Sequence, residues 1–369
     1  MSDMRVAVRR RLLFSIILGV GLAVLLQWKI QSSSLLDSKR SGDPCLTLIR
    51  PTTGPDTAAV WSNLGDCPSA PRDHDRETVA VDLRYGLLLY YKTEALMSTL
   101  PFPFTVVLRN QDDRSRAFGR GGTNTYDMAL VGDAKSLSWV DLIVAGGGRI
   151  HYLPTQPHWF DTRVNGYFRD TTLQWTGRDW RLRRDDDVEL LFPESRRATR
   201  LEQAALLGMQ GASKEPLLTI DRDSQGNILR LSVSGGQIAF DHDEHDRMTA
   251  IATPDGPEPL HFTYDVGGCL ARRTGADGEF VYEHDHGNAS CQLHRSSRNG
   301  ATFFEAEYDR DRVIRLTDPA GRVYAISYET DSAGTVTAAE LSDDAGLLRH
   351  IVFDKNGYSF IRSSAARRR

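Results

Sequence analysis

The chain has 369 residues, in which 45 Lys and Arg nearly balance 49 Asp and Glu to leave a net charge of −4. This length allows two or three domains or one elongated repeat array, and the interspersed charges give no reason to expect a nucleic acid partner. With 31 Gly, 15 Pro and few helix-period runs, the composition predicts a turn-rich β protein.

The first element is an apolar run, residues 12–28, of 17 residues without a charge, preceded by Arg5, Arg9, Arg10 and Arg11. A bilayer span needs about 17–25 residues and a cleavable signal usually has about 7–15. No small-x-small cleavage motif follows. We therefore predict one N-terminal transmembrane helix within a cytoplasmic stub and anchor of residues 1–29. The chain would be a single-pass inner-membrane protein, with its bulk periplasmic or extracellular. Secretion after signal cleavage is the alternative.

The four cysteines all lie beyond the apolar run, and they suit an oxidising compartment. Cys45 and Cys67 are 22 positions apart, as are Cys269 and Cys291. Four cysteines allow three connectivities. We favour the two local disulfides because they close the shortest loops, and four buried free thiols remain the alternative.

Residues 30–77 are rich in Ser, Pro, Thr and Gly and predict a tether, with one strand beginning at Cys45. In residues 78–212, short alternating or β-branched runs at regular intervals predict an antiparallel β module. The exception is residues 197–209, where apolar residues recur at helical spacing and predict a helix.

Three segments of this module carry a family resemblance. Val-Asp-Leu-Arg-Tyr-Gly-Leu-Leu-Leu at 81–89 is followed by Pro-Phe-Thr-Val-Val-Leu-Arg-Asn at 103–110. Phe-Gly-Arg-Gly-Gly-Thr-Asn-Thr-Tyr-Asp-Met-Ala-Leu follows at 118–130. In this order they resemble the opening module of Rhs/YD-repeat proteins.

The C-terminal half, residues 213–360, repeats an aromatic or aliphatic residue followed by an acid. The acids are Asp221, Asp241, Asp265, Glu283, Asp309, Glu329 and Asp354, at intervals of 18 to 26 residues. A period in the low twenties with a turn at each acid indicates a repeat architecture. A basic tail, residues 361–369, follows the array.

These units resemble the YD repeat, and the segment from Tyr308 to Tyr328 is the clearest copy. The resemblance implies an all-β fold in which antiparallel strands spiral into a shell. With seven units we expect a partial shell, open at least at one end. The corner acids would bond backbone N–H groups, while the aromatic before each acid would pack inward. In residues 323–328, Tyr324, Ile326 and Tyr328 should share one face of a strand.

Candidate chemistry is sparse. Residues 241–246, His261 and residues 284–286 offer His and carboxylate groups that suit a transition metal. They fall on predicted repeat corners, where such residues are ordinarily solvated, so we predict no metal, cofactor or catalytic residue. The aromatics between Trp159 and Trp180 suit core packing better than stacking on a sugar.

The sequence thus predicts an envelope-anchored, non-enzymatic binding or scaffolding module for a carbohydrate or a partner protein. One alternative is a hydrolase with a carboxylate pair on the concave face of the sheet. Another is a decayed fragment of a longer Rhs toxin-delivery protein.

Overall fold

The computed structural model describes residues 45–50, 77–112, 114–132, 138–144, 149–162, 171–184, 187–193, 204–254, 256, 258–285, 291–353 and 359–362. Within these residues the chain forms β-strands and turns and no α-helix, which confirms the predicted all-β class. None of the described residues forms a helix able to cross a membrane. The anchor predicted at residues 12–28 lies outside the described residues.

The strands before the repeats are short. They are β1 (Cys45–Arg50), β2 (Glu77–Asp82), β3 (Leu87–Glu94), β4 (Phe104–Arg109), β5 (Ser115–Arg116), β6 (Gly119–Arg120), β7 (Gly122–Asn124), β8 (Ala129–Gly132), β9 (Val140–Ile143), β10 (Arg149–Gln156), β11 (Trp159–Thr162), β12 (Thr172–Trp175), β13 (Trp180–Arg183), β14 (Glu189–Phe192), β15 (Ala204–Ala205) and β16 (Gly208–Gln210).

The strands of the repeat array follow in hairpins. They are β17 (Pro216–Arg222), β18 (Ile228–Val233), β19 (Gly236–His242), β20 (Met248–Ala252), β21 (Leu260–Tyr264), β22 (Leu270–Gly275), β23 (Gly278–Asp285), β24 (Gln292–Arg298), β25 (Ala301–Asp309), β26 (Arg312–Thr317), β27 (Val323–Thr330), β28 (Val336–Asp343), β29 (Gly346–Phe353) and β30 (Ser359–Arg362).

Strands β8 to β30 form one large antiparallel sheet that closes on itself. From β16 onward each strand pairs with the next along the chain. Closure comes from a segment that changes partners, because Ala204 and Ala205 pair with β8 whereas residues 208–210 pair with β14 and β17. The large sheet therefore continues across the boundary predicted at residue 212.

The helix predicted over residues 197–209 is wrong for its described part, which contains β15 and β16 instead. Ala204, Leu206 and Met209 are buried. Their burial satisfies the apolar pattern, but β8 and β14 both offer strand edges here. Pairing with those edges overrides the local helical spacing, because unpaired edge N–H and C=O groups are costly to bury.

Alternation of burial in the array follows the sequence closely. In β17, Leu218 and Ile220 are buried while Thr219 and Asp221 are exposed. In β27, Tyr324 and Ile326 are buried and Tyr328 is half-buried, whereas Ala325 and Ser327 are exposed. The predicted face of residues 323–328 is thus confirmed.

A second sheet, in the order β1-β2-β3-β4-β7, packs against the array. We call the array face that contacts it the inner face. Ring pairs join the two sheets, with centroid distances of 5.6 Å for Phe104 and Phe240 and 5.4 Å for Tyr90 and Tyr282. Because β2 and β3 are buried along their whole length on both faces, this five-stranded sheet is a central layer of the fold.

The opposite face of the five-stranded sheet carries a separate apolar cluster. Its members are Ala80, Leu87, Leu89, Tyr91 and Val107. The main core, which includes Val79, Tyr90 and Phe104, lies between this sheet and the array. Successive side chains of a strand point to opposite faces of the sheet, so alternate residues of β2, β3 and β4 enter the two different cores.

Candidate functional site

Five corners of the array, among the described residues, are built on an aspartate whose carboxylate holds the backbone of the turn. In each, one oxygen, Oδ1, accepts hydrogen bonds from the amides two and four residues later, at 2.9–3.0 Å. The aspartates that do this are Asp223, Asp243, Asp265, Asp318 and Asp331. Local bonds of this kind specify the turn without any tertiary partner.

Hydrogen bonding also changes the acidity of these groups. Burial raises the pKa of Asp243, but hydrogen bonds from the Arg247 side chain and from backbone amides outweigh it, so the pKa lies below its usual value. Asp223 follows the same pattern, with Asn227 as the side-chain donor. The ionised carboxylate is therefore the form that the corner stabilises.

Only some predicted corner acids occupy these positions. Asp265 does, and Asp309 ends β25 beside a turn. Asp221, Asp241 and Glu329 lie within strands, two residues before the acids that hold the turns, and Glu283 lies within β23. The structure thus places these four acids within strands and not at the turns themselves. Asp354 lies outside the described residues.

The physical reason is a β-bulge that recurs just before the corners. The pairing register shifts at 221/222, 241/242, 263/264, 283/284, 307/308 and 329/330. A bulge inserts one residue and re-aims the following side chain. Each strand therefore continues past the first acid. The turn begins at a second acid two residues later, and that second acid is the feature of the sequence that marks the turn.

Side chains next to these bulges bond to the preceding unit. The hydroxyl groups of Tyr264, Tyr308 and Tyr328 donate to the carbonyls of Met248, Leu293 and Val313 at 2.6, 2.7 and 2.7 Å. Arg222 does the same with its Nε, at 3.2 Å from the Leu206 carbonyl. Burial raises the pKa of the three tyrosines, which keeps their hydroxyl groups protonated as donors.

A cluster of charged side chains lies between the inner face and the five-stranded sheet, and we call it the inner ion cluster. Its members are Lys92 and Glu94 of the five-stranded sheet with Arg273, Asp277 and Arg298 of the array. Arg273 donates to both oxygens of Glu94, at 3.1 and 2.5 Å, and also bonds Asp277. Lys92 lies 3.8 Å from Glu94 and 3.7 Å from Asp277. The side chains of Lys92, Glu94 and Arg273 are at most 3% exposed.

The aromatic ring of Phe280 completes this environment. The Phe280 ring lies 4.9 Å from Lys92 Nζ and from Arg273 Cζ. Burial lowers the pKa of Arg273, but the Glu94 charge and the hydrogen bonds that Arg273 donates to Glu94 and Asp277 outweigh it and leave the pKa raised. The carboxylates on this face are thus engaged by cations of the chain itself.

Strands β23 to β25 line an open cleft of about 600 Å³ near the ends of the strands. It is lined by His284, Asp285, Gln292, His294, Ala306, Glu307, Tyr308 and Arg310. Gln292 is fixed by a bond to the Arg310 carbonyl at 2.5 Å, and His294 lies 3.6 Å from Glu283. We call this the outer cleft. Its lining mixes hydrogen-bond donors and acceptors on a rigid sheet.

Next to the outer cleft, Cys269 and Cys291 form a disulfide with Cα atoms 5.7 Å apart. This is the local pairing preferred from the sequence. Cys269 immediately precedes β22 and Cys291 immediately precedes β24, so the bond fixes the Asp265 corner to the start of β24. The other predicted pair includes Cys67, which lies outside the described residues.

The remaining candidates behave as ordinary structural residues. In the cluster at residues 241–246, Asp243 is bonded by Arg247, while Glu244 and His245 are exposed. Phe160 and Trp180 are buried, with ring centroids 5.6 Å apart, as core packing requires.

No family model matches the chain, and no curated protein matches it either. Among solved structures it is similar to TcdB2-TccC3 without its hypervariable C-terminal region, with 10% identity, a TM-score of 0.30, and coverage of 74% of this chain and 20% of that one. TcdB2-TccC3-TEV gives 10% identity, a TM-score of 0.31, and coverage of 83% and 21%. The structure of a Photorhabdus luminescens Tc holotoxin pore is similar with 9% identity and a TM-score of 0.21. That match covers 78% of this chain and 21% of the other. The chain spans about a fifth of the length of these proteins.

Proposed function

We propose that the chain is a short, envelope-anchored Rhs/YD-repeat protein that acts as a binding module, with a carbohydrate as its ligand and the outer cleft as its binding site. Residues 12–28 would attach it to the inner membrane and leave the array outside. The array supplies a rigid frame, and the cleft supplies the specificity.

The main support is the filled inner face of the array. Phe240 and Tyr282 on that face contact Phe104 and Tyr90 of the chain's own five-stranded sheet, so the face is occupied. Glu94 on the opposing sheet is bonded by Arg273 and is 1% exposed. A hydrolase that used these carboxylates would first have to break a buried ion pair, which disfavours that alternative.

The lining of the outer cleft supports a polar ligand. Glu307 accepts a bond from Arg315 at 3.3 Å and leaves its carboxylate half-exposed, while His294 is 41% exposed. Sugar hydroxyl groups both donate and accept, and such a mixed lining on rigid strands matches them. Because the lining residues lie on strands and turns of the sheet, ligand binding would cost little conformational entropy in ordering them.

The test is binding of the purified full-length chain in detergent to an array of bacterial envelope glycans, followed by titration of any retained glycan. The double variant Glu307→Gln/His294→Ala should weaken binding at least about tenfold. The matched control, Glu279→Gln/His261→Ala, changes the same residue types at positions that do not line the cleft and should leave binding intact. Retention of no glycan, or equal loss in both variants, would contradict the proposal.

A further inference from the structure

Three metal-ligating residue types converge beside the outer cleft. The ligand atoms of Asp265, Cys269 and His284 all lie within 4.8 Å of one another. Cys291 Sγ is adjacent as well, because it is bonded to Cys269. Together they form a set of two sulfurs, one imidazole and one carboxylate, which is a ligand combination that zinc favours.

We propose that this corner is a zinc site selected by the redox state of Cys269 and Cys291. In the disulfide neither sulfur can act as a thiolate ligand. Reduction by a dithiol breaks the S–S bond, forms two thiols and converts the reductant to its own disulfide. Zinc then binds both sulfurs as thiolates, and the two thiol protons pass to solvent.

The carboxylate is held in position for this role. Asp265 Oδ1 accepts the amides of Gly267 and Cys269 at 2.9 and 3.0 Å. Its other oxygen, Oδ2, faces His284 Nδ1 at 3.8 Å. Because the turn fixes the carboxylate through Oδ1, Oδ2 is the oxygen that would ligate the metal. This is the kind of outer hydrogen bonding that orients ligands in metal sites.

The imidazole is held by the fold in a similar way. The β-bulge at 283/284 turns His284 into the sheet, where its side chain is 2% exposed. Ligand atoms around a tetrahedral zinc lie about 3.3–3.8 Å apart, as follows from bond lengths of about 2.0–2.3 Å. The three groups therefore need to close by only about 1 Å, which side-chain rotation can supply.

The two states would restrain the same segments. The disulfide joins Cys269, at the end of the Asp265 corner, to Cys291, at the start of β24. A zinc ion with both cysteines and Asp265 as ligands would join the same two positions. The Asp265 corner would thus stay joined to the start of β24 by the disulfide in oxidising surroundings and by zinc in reducing surroundings.

The test is the zinc content of the purified full-length chain, oxidised or reduced with a phosphine that does not chelate zinc. After removal of free zinc, the reduced chain should hold about one zinc per chain and the oxidised chain none. Cobalt in place of zinc should give thiolate charge-transfer absorption in the reduced chain alone. Zinc should also raise the unfolding temperature of the reduced chain but not that of the oxidised chain.

Variants separate the ligands from the fold. His284→Gln and Asp265→Asn should each weaken zinc binding at least about tenfold, and Cys269→Ser/Cys291→Ser should abolish it. Asp243→Asn is the matched control, since Asp243 holds an equivalent turn without a cysteine partner, and it should bind as the unmodified chain does. Circular dichroism checks that each variant is folded.

Three results would overturn the proposal. They are reduced chain without stoichiometric zinc, unchanged affinity in folded His284→Gln and Asp265→Asn, and a reduced chain that unfolds and is not restored by zinc. His284 also lines the outer cleft. The glycan variants at Glu307 and His294 leave all four zinc ligands in place, so zinc content measured in those variants tests this site apart from carbohydrate binding.

Discussion

At the scale of single residues, the array is joined from unit to unit by polar side chains next to a bulge. Tyr264, Tyr308 and Tyr328 each donate to a carbonyl 15 or 16 residues earlier. Arg222 fills the same role with a guanidinium, so the requirement is a long side chain with a terminal donor. A buried carbonyl without a donor costs free energy, and each of these bonds removes one such cost.

Removing one of these hydroxyl groups measures that cost. Tyr308→Phe keeps the ring but leaves the Leu293 carbonyl without its 2.7 Å donor. We expect a loss of about 1–3 kcal/mol in the free energy of unfolding, measured with urea. Tyr85→Phe is the control, since Tyr85 is 53% exposed, and it should have no measurable effect. Equal stability of both variants would mean that the hydroxyl bonds do not join the units.

The sequence predicted the period and the inward-packing aromatic residues, whereas four of the predicted corner acids lie within strands in the structure. The alternation that identifies a strand ends in the sequence at Asp221 or Asp241, while the structure extends each strand by a bulge. A bulge breaks the period of two, so period-based reasoning places the turn too early. At Asp265 the bulge precedes the Tyr-Asp pair itself, and there the prediction coincides with the structure.

At the scale of elements, the hairpin of β5 and β6 docks on two repeat corners. Phe118 is fully buried and its ring lies 5.0 Å from that of Phe262. Arg120 donates its amide to the Gly268 carbonyl at 3.0 Å, and the amide of Met248 donates to the Ala117 carbonyl at 2.7 Å. The Gly-rich motif that carries the family resemblance is thus the contact between the opening module and the array.

Gly119 is the position where this docking permits no side chain. Its φ is +79°, and an added Cβ would lie 2.3 Å from the Gly268 carbonyl oxygen. Gly226, with φ +97°, has nothing within 4 Å of such a Cβ. Gly226→Ala should therefore cost only the left-handed backbone strain, about 1–2 kcal/mol.

Gly119→Ala should cost about 1–3 kcal/mol more than Gly226→Ala, because the hairpin must move away from the corner. Urea unfolding of both variants measures the difference. Equal losses would show that close docking of the hairpin contributes nothing beyond the conformation of one glycine.

Elements whose burial the sequence encodes locally were predicted well, and those that depend on distant partners were not. The strands around Gly86 and the face of β27 follow from alternation alone. The strand at residues 204–205 exists because β8 offers a partner 74 residues earlier, at Leu130. No local pattern reports a partner at that distance, so the segment was predicted as a helix.

At the scale of the whole molecule, the five-stranded sheet and the array form a shared core. Tyr90 illustrates this, since its ring contacts Tyr282 of the array and its hydroxyl donates to Glu77 of its own sheet at 2.8 Å. Burial and the Glu77 charge raise the pKa of Tyr90, which keeps that donor protonated. Stability therefore depends on polar contacts between the sheets as well as on apolar area.

The pair of Glu94 and Arg273 provides the sharpest test of this shared core. It joins β3 to β22 across 179 residues, with both side chains at most 3% exposed. Breaking a buried pair leaves an uncompensated charge, so Glu94→Gln and Arg273→Met should each cost about 3–5 kcal/mol in urea unfolding. The double variant should cost clearly less than the sum, since neither charge is then left alone.

The chain offers a matched control on the same strand. Arg272 precedes Arg273 but pairs with Glu279 on the outer face, where the side chains are 51% and 41% exposed. The corresponding cycle with Arg272→Met and Glu279→Gln should give a coupling of about 0–1 kcal/mol, because solvent screens the pair. Similar coupling in the two cycles would mean that the inner pair is solvated in solution and that the sheet does not close over it. A large coupling energy for Glu94 and Arg273 with a small one for Glu279 and Arg272 requires the five-stranded sheet to pack against the array, since only that contact removes Glu94 from water.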